Sequence, residues 1–262
     1  MHYVDEGYGQ PIVFLHGLPT WSFLYRKLIA QLSGQFRCIA IDHLGMGLSD
    51  KPKDADYSPA GHTHRLQQFI ASLDLQNVTI VGHDFGGSIG LDWASQNPDR
   101  VRDIILMNTW VWCLSKNPVI RSVSKAASSP INQYWFRLLN PSPKFYFPIL
   151  FADKHRLPKW VQDQYQHAFN NQFETYCPEA LARALTSDPD WFRGVVDRLP
   201  TLHNKPCLIL WGTDDITYGD GAHSRLIGLF PNAASVPLAG VGNYPPEEAP
   251  DECVRHIIRF LS

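Results

Sequence analysis

The amino-acid sequence predicts an α/β fold, with a mostly parallel, doubly wound sheet that is interrupted by an inserted helical cap. Two observations lead to this prediction. Short apolar runs alternate with helical stretches up to residue 110 and again after Pro200, and the stretch between them follows neither pattern. Alternating strands and helices are typical of a parallel sheet covered by helices on both faces. The middle stretch is therefore interpreted as an insertion.

The expected strands are short and rich in β-branched or apolar residues. In the first half they lie at residues 3–4, 11–15, 37–42, 78–82 and 102–107. Helices are expected at residues 22–32, with Ser22 as the N-cap, at residues 58–75 and from residue 87 towards 97. After Pro200 the pattern predicts strands at 205–212 and 234–238, a helix at 221–229 and a terminal helix to residue 260.

The inserted stretch is rich in aromatic side chains and proline. Residues 110–192 hold 16 of the 32 aromatic residues, and prolines divide the stretch into pieces with helical character at 131–139, 158–169 and 178–185. Open α/β sheets bind ligands at the carboxyl ends of their strands, where such an insertion would lie. The sequence therefore predicts a core of residues 1–110 and 196–262 and a helical cap of residues 111–195.

The composition is that of a globular protein whose partner is neither a nucleic acid nor a membrane. The net charge of −2 gives no electrostatic basis for binding a nucleic acid or an anionic membrane. No apolar run approaches the roughly 20 residues that span a bilayer. The five cysteines are scattered, which indicates free thiols in a reducing compartment and argues against a metal site. We expect a cytoplasmic protein that is a monomer or a small homo-oligomer.

The stretch with the clearest chemical meaning is Gly82-His-Asp-Phe-Gly86, between a predicted strand and a predicted helix. Asp84 has a glycine two residues away on each side. This is the pattern of a nucleophile elbow, in which the strained backbone of the nucleophile needs neighbours without side chains. An Asp that merely caps a helix is the simpler alternative. The glycines favour Asp84 as a nucleophile, although most such elbows carry Ser.

Two later strand ends carry further candidates. Asp215 follows the strand at 205–212, with Asp214 beside it as the rival acid, and Asn243 lies in a glycine-containing loop before the terminal helix. In hydrolases built on such an elbow, the catalytic residues follow the chain order nucleophile, acid, histidine. Asp84 and Asp215 fit the first two places, and Asn243 occupies the third.

Together, these motifs resemble those of α/β-hydrolases of the haloalkane dehalogenase and epoxide hydrolase branch. The resemblance rests on residues 16–26, 42–52, 82–87, 108–110, 211–215 and 242–250. It implies that Asp84 displaces a leaving group from an sp³ carbon to form an alkyl-enzyme ester. It also implies that a His oriented by Asp215 activates water to hydrolyse that ester. The backbone N–H groups of Leu18 and Phe85 would form the oxyanion hole, and no cofactor takes part.

The chain departs from this family at the base. Asn243 stands where the family has His, within an otherwise intact Gly-x-Tyr-Pro-Pro-Glu-Glu motif. An amide can hydrogen-bond to Asp215 but cannot take a proton from water near neutral pH. We therefore expect Asn243 to block the second step. An engineered substitution that traps the ester is favoured over a natural loss of turnover, because only the base is altered.

The chain also departs from the family at the leaving-group donors. Dehalogenases of this branch hold the halide with a Trp after the nucleophile and with a second Trp or an Asn after His-Gly. Phe85 and Leu18 occupy these positions, and neither side chain can donate a hydrogen bond. Candidate indole donors are Trp110, Trp112, Trp135 and Trp160. The residues predicted to contact the substrate are Trp110, Tyr134, Trp135 and Trp160.

Several functions are compatible with these features. The first is a haloalkane dehalogenase-like hydrolase acting on a small apolar substrate. The second is opening of an epoxide, for which cap tyrosines 134, 146, 165 and 176 are available as proton donors, or of a β-lactone. The third is a non-catalytic binding protein that retains the pocket and in which Asn243 is native.

Overall fold

The computed structural model describes residues 1–128, 142–169 and 175–262. The strands are β1 (Tyr3–Glu6), β2 (Pro11–Leu15), β3 (Arg37–Ile41), β4 (Val78–His83), β5 (Val101–Met107), β6 (Cys207–Gly212) and β7 (Ala234–Leu238). They form one sheet in the order β1-β3-β2-β4-β5-β6-β7. β1 pairs antiparallel with β3, and all other pairs are parallel. The predicted α/β fold with a mostly parallel sheet is confirmed.

The helices lie between the strands and after them. They are α1 (Arg26–Leu32), α2 (Pro59–Ser72), α3 (Phe85–Gln96), α4 (Pro118–Ser128), α5 (Lys159–His167), α6 (Tyr176–Ser187), α7 (Pro189–Arg198), α8 (Ala222–Leu229), α9 (Pro245–Glu248) and α10 (Pro250–Leu261). A π-helical turn, Ser142–Tyr146, runs into a short α-helical turn, Phe147–Ile149. No helix within the described ranges is long and apolar enough to cross a bilayer.

Both faces of the sheet are buried. Along β2, Val13 and Leu15 pack into the cluster that contains α2 and α3, whereas Ile12 and Phe14 pack into the cluster that contains α1 and α10. This alternation follows from the two-residue period of a strand. Because both faces are covered, the central strands β2, β4 and β6 are almost wholly buried, as expected for a parallel sheet between two helical layers.

The order of the strands creates a switch point beside β2. The chain moves from β2 outward to β3 and then returns to β4 on the opposite side of β2. Leu15 is paired with Gly82, so the loops that follow β2 and β4 leave the sheet side by side. Such a crevice, at the carboxyl ends of strands whose order reverses, is the usual ligand site of open α/β sheets.

Some helix boundaries differ from the sequence expectation. Ser22 does not cap a helix; it begins a 3₁₀ turn, Ser22–Tyr25, that precedes α1. Its N–H donates to Asp42 Oδ1 at 2.7 Å, which ties the turn to the end of β3. The expected helices at 158–169 and 178–185 correspond to α5 and α6. The helix expected at 131–139 lies outside the described residues.

Helices α4 to α7 lie between β5 and β6. Helix α4 packs on α6, where the hydroxyls of Ser124 and Thr186 are 2.6 Å apart. Helix α5 contacts the core through Tyr165, whose hydroxyl donates to Glu247 at 2.8 Å. Helix α7 runs across the predicted cap boundary at residue 195 and donates from Trp191 to Asp92 of α3. The assignment of residues 111–195 as a cap stays a prediction.

Candidate active site

The elbow at Asp84 is built by steric constraint. Asp84 has a φ of +53° and a ψ of −132° at the junction of β4 and α3. A Cβ on Gly82 would lie 2.4 Å from Cα of Gly87, and a Cβ on Gly86 would lie 2.0 Å from the carbonyl oxygen of Leu15. Backbone atoms cannot yield to such contacts without moving the strand. The two glycines therefore allow the turn to pack closely against the sheet, with Asp84 at the tip of the turn.

This constraint predicts a stability loss for Gly86→Ala. The methyl group has to displace the β2 backbone, so we expect the free energy of unfolding to fall by about 1–3 kcal/mol. Gly34→Ala is the matched control, because its Cβ meets nothing within 4 Å. Urea unfolding of both variants measures the difference. Equal stabilities of the two variants would show that the elbow tolerates a side chain.

The Asp84 carboxylate is held by two backbone donors. Its Oδ1 accepts from the N–H of Leu18 at 2.9 Å and from the N–H of Phe85 at 2.6 Å. These donors come from the adjacent loops after β2 and β4, at the switch point. Thr109 Oγ1 donates to the backbone oxygen of Asp84 at 2.6 Å and fixes the turn from the β5 side. One carboxylate oxygen is thus anchored, and Oδ2 lies outside these two bonds.

Asp84 is buried, with 8% of its surface exposed. Burial raises the pKa of its carboxyl group to about 7; the N–H groups of Phe85 and Leu18 oppose the shift, and the charge of Asp215 adds to it. The carboxylate is therefore poorly solvated. Desolvation makes a carboxylate a stronger nucleophile than it is in water, provided that it is ionised.

Asp215 is buried beside the same cavity and accepts several hydrogen bonds. Its Oδ2 accepts from Asn108 Nδ2 at 2.9 Å, and its Oδ1 accepts from the backbone N–H of Thr217 at 2.6 Å and from the Thr217 hydroxyl. Burial raises the pKa of Asp215, and these donors oppose the shift. Asn108 also accepts from the N–H of Gly212 at 3.1 Å, so its amide joins the ends of β5 and β6.

Asn243 is fixed through its backbone. Its N–H donates to the carbonyl oxygen of Leu150 at 2.9 Å, and its carbonyl oxygen accepts from His83 Nε2 at 2.7 Å. Burial lowers the pKa of His83 to about 4, so its imidazole is a neutral brace for this loop. Glu248 accepts from the N–H groups of Gly242 and Tyr244 at 3.1 and 3.2 Å.

An amide at position 243 could donate to Asp215, but the donors to Asp215 are Asn108 and Thr217 and not Asn243. Both oxygens of Asp215 accept from other donors, the amide of Asn108 and the backbone and hydroxyl of Thr217. The amide side chain of Asn243 is also shorter than the imidazole that it replaces in the family pattern. Asp215 and Asn243 nevertheless border the same cavity.

One cavity of about 130 Å³ brings the predicted residues together. Asp84, Asp215, Thr217 and Asn243 supply polar atoms, and Trp110 and Tyr146 supply an indole and a phenol. The rest of the lining is apolar: Leu18, Pro19, Phe85, Leu114, Val119, Ile120, Val123, Ile149, Leu150, Leu185 and Ile216. An apolar pocket with a few convergent polar groups fits a small apolar ligand with one reactive centre.

Two of the four predicted substrate contacts lie within the described residues. Trp110 lines the cavity. Trp135 and Tyr134 lie outside the described residues. Trp160 is not among the described residues that line the cavity: it is 58% exposed and contacts Phe23 and the Arg26 guanidinium, so its role as a substrate contact stays a prediction. The buried face of α5 is formed by Val161 and Tyr165, four residues apart, so the preceding residue points outward.

Sequence reasoning missed three residues that shape the site. Thr217 stands two positions after Asp215, a spacing at which Asp side chains commonly accept from the backbone, so a local signal was present. Thr109 and Leu150 gave no local signal. They reach the site because β5 neighbours β4, and because the turn after Phe147–Ile149 folds back onto the Asn243 loop.

Known proteins match this chain in both sequence and structure. Residues 10–188 match a family model described as the alpha/beta hydrolase fold. Haloalkane dehalogenase 2 of Mycobacterium tuberculosis is 33% identical, over 98% of this chain and 90% of the relative. Cis-3-alkyl-4-alkyloxetan-2-one decarboxylase of Shewanella oneidensis is 28% identical, over 100% of this chain and 85% of the relative. The crystal structure of the haloalkane dehalogenase DatA from Agrobacterium tumefaciens C58 superposes with a TM-score of 0.90 at 28% identity, covering 99% of this chain and 91% of that one.

Proposed function

The chain belongs to the α/β-hydrolase fold family, in its haloalkane dehalogenase-like branch, and on this premise we propose that a small haloalkane alkylates its Asp84 carboxylate. The arrangement of Asp84 carries the proposal. One carboxylate oxygen is held by two N–H groups, and the carboxylate borders an apolar cavity. Several described residues of the predicted cap, 111–195, line this cavity, among them Leu114, Val123 and Leu185, which supports a role of the cap in binding substrate.

The first step is a displacement at an sp³ carbon. Asp84 Oδ2 forms the new C–O bond while the carbon–halogen bond breaks, and the halide leaves with the bonding electrons. Oδ1 becomes the ester carbonyl oxygen and keeps its hydrogen bonds to Leu18 and Phe85. Those donors then stand ready for the oxyanion that forms when water attacks the ester. No cofactor enters this reaction.

The second step requires a base, and this chain has an amide in that place. Asn243 cannot take a proton from water. Asp215 accepts from Asn108 and Thr217, and its Oδ2 has room for a second donor, so it could orient a histidine at position 243. We expect the alkyl ester to persist. Whether Asn243 is engineered or native stays a hypothesis.

Intact-protein mass spectrometry tests the proposed function. The unsubstituted chain is incubated with a 1-bromoalkane, a 1,2-epoxide and a β-lactone of equal chain length, with Asp84→Asn as the control. We expect the mass to rise by one alkyl group with the bromoalkane and the peptide containing Asp84 to carry it. Reversible binding of all three compounds without an adduct would instead favour a non-catalytic binding protein.

A β-lactone is the second candidate electrophile. The Shewanella oneidensis relative is described as a decarboxylase of an alkylated oxetan-2-one, which is a β-lactone. An epoxide is less well supported, because its opening in this family uses two cap tyrosines. Among the described tyrosines only Tyr146 lines the cavity, and the Tyr165 hydroxyl is bound to Glu247. An adduct with the lactone alone would reassign the substrate class.

Location and assembly stay predictions. All five cysteines are free thiols, which supports a reducing, cytoplasmic environment. A monomer or small homo-oligomer is expected.

A further inference from the structure

The carboxylate of Glu248 joins two segments that are distant in the sequence. Its Oε2 accepts from the N–H of Gly242 at 3.1 Å and from the N–H of Ala152 at 2.9 Å, and its Oε1 accepts from the N–H of Tyr244 at 3.2 Å. Glu248 is buried. Burial raises the pKa of its carboxyl group, and its three N–H donors oppose that shift. The group is therefore a buried acceptor that the two segments share.

Both segments form part of the cavity wall. One is the loop 242–244, in which Asn243 lines the cavity, and the other is the segment 149–152, in which Ile149 and Leu150 line it. The N–H of Asn243 donates to the carbonyl oxygen of Leu150 at 2.9 Å, which is a second link between them. The position of one segment therefore depends on the position of the other.

The two segments approach each other too closely for a side chain to fit between them. A Cβ on Gly242 would lie 2.5 Å from the carbonyl oxygen of Leu150 and 2.6 Å from the backbone nitrogen of Ala152. Aromatic packing adds to the contact, since the ring centroids of Phe151 and Tyr244 are 5.3 Å apart. This part of the cavity wall is therefore close-packed as well as hydrogen-bonded.

The neighbouring Glu247 holds a different part of the chain. It is also buried, but its carboxylate pairs with Arg26 and Lys27 of α1 and accepts from the hydroxyl of Tyr165 on α5. None of these three partners is among the described residues that line the cavity. Of these two adjacent glutamates, Glu248 is therefore the one whose partners adjoin cavity-lining residues.

We infer that Glu248 is a positioning residue: by holding the loop 242–244 against the segment 149–152, it sets the width of the cavity and so the size of the substrate that reaches Asp84. This inference rests on the proposed alkylation of Asp84 and narrows its substrate to unbranched haloalkanes. A methyl branch would have to displace a wall that Glu248 holds in place, and close-packed walls resist such a displacement.

Glu248→Gln tests this role. The amide keeps the length of the side chain, but its NH₂ group cannot accept, so at least one of the three N–H groups loses its acceptor. The rate constants for alkylation of Asp84 are measured with 1-bromobutane and with 1-bromo-3-methylbutane, whose extra methyl group lies away from the reacting carbon. We expect the preference for the unbranched compound to fall about tenfold, the lower part of the range for one such group in a fitted pocket.

Two further variants make the result specific. Glu247→Gln is the matched control, because it removes the adjacent buried carboxylate, whose partners lie on α1 and α5. It should lower stability and leave the preference unchanged. Gly242→Ala keeps Glu248 and separates the two segments with a methyl group, so the preference should fall in this variant too. It gives the same test if Glu248→Gln does not fold.

The outcomes separate this inference from the proposed function. An unchanged preference in Glu248→Gln would overturn the inference and leave the proposed function standing. Equal losses in Glu248→Gln and Glu247→Gln would also overturn it, because a general loss of stability would then explain both.

If no haloalkane alkylates the unsubstituted chain, the proposed function fails, and hydrogen–deuterium exchange decides whether Glu248 joins the two segments. Faster exchange in both segments of Glu248→Gln, but not of Glu247→Gln, supports the positioning role. Unchanged exchange in Glu248→Gln contradicts it.

Discussion

Asn243→His is expected to raise steady-state hydrolysis of a haloalkane by about 10²–10⁴-fold, the usual contribution of a positioned general base. The chain with Asn243 should show one equivalent of halide release and then stop. The variant should release halide and alcohol continuously. Chloride or bromide release, followed over many enzyme equivalents, measures the change directly.

The structure gives a reason to expect that the new imidazole would be correctly placed. The loop at position 243 is held through its backbone by Leu150 and His83, and Glu248 accepts from the flanking N–H groups, so these contacts do not depend on the side chain at position 243. The imidazole must share Asp215 with Asn108 and Thr217. Asp215 Oδ2 accepts from Asn108 alone and can take a second donor.

Two controls make the result specific. Asn243→Gln lengthens the side chain without adding a base and should give no turnover. Asn243→His combined with Asp84→Asn should give none either, because the nucleophile is absent. If Asn243→His forms the adduct as fast as the unsubstituted chain but never releases alcohol, the residue at position 243 is not what prevents hydrolysis of the ester.

The rate of adduct formation in the unsubstituted chain is expected to rise about 100-fold between pH 5 and pH 8. Only the ionised carboxylate of Asp84 is a nucleophile, and burial, together with the charge of Asp215, raises its pKa to about 7. Below that value the ionised fraction grows about tenfold per pH unit, and above it the rate levels off. Single-turnover alkylation by a bromoalkane, measured at constant ionic strength, gives the profile.

Asp215→Asn is the matched control for this profile. It removes the neighbouring charge and leaves Asp84 buried, so the midpoint should move to lower pH without returning to the value of an exposed carboxyl. A rate that does not change from pH 5 to pH 8 would show that Asp84 is ionised throughout, or that it is not the group that reacts.

Sequence alone could predict those parts of the site that are encoded locally. Gly82 and Gly86 identify the elbow because few residue patterns are compatible with a strained turn between a strand and a helix. Asp215 and Asn243 follow from their places after predicted strands. The chain order of the strands then predicts a common edge of the sheet, and the structure places all three residues around one cavity.

The remaining features depend on packing that no local pattern encodes. Trp110 and Trp160 are both aromatic residues of the same stretch, yet one lines the cavity and the other covers Arg26, because helix phase and docking decide their directions. The sequence does not predict helices α4 and α7, because each begins at a proline, Pro118 and Pro189. A proline indicates a break between elements, yet it is also favourable in the first turn of a helix.

The burial of Asp84 also has a consequence for folding. Its carboxyl group ionises near 3.8 when solvated and near 7 in the folded chain, where its pKa is raised chiefly by burial. Across that window the unfolded chain has released a proton that the folded chain keeps, so stability falls as the pH rises. The cost approaches about 4 kcal/mol above pH 7, at 1.36 kcal/mol per pKa unit. An alkyl ester at Asp84 carries no charge and relieves this cost. Alkylation would therefore raise the free energy of unfolding of the chain at neutral pH, because the buried negative charge at Asp84 is removed.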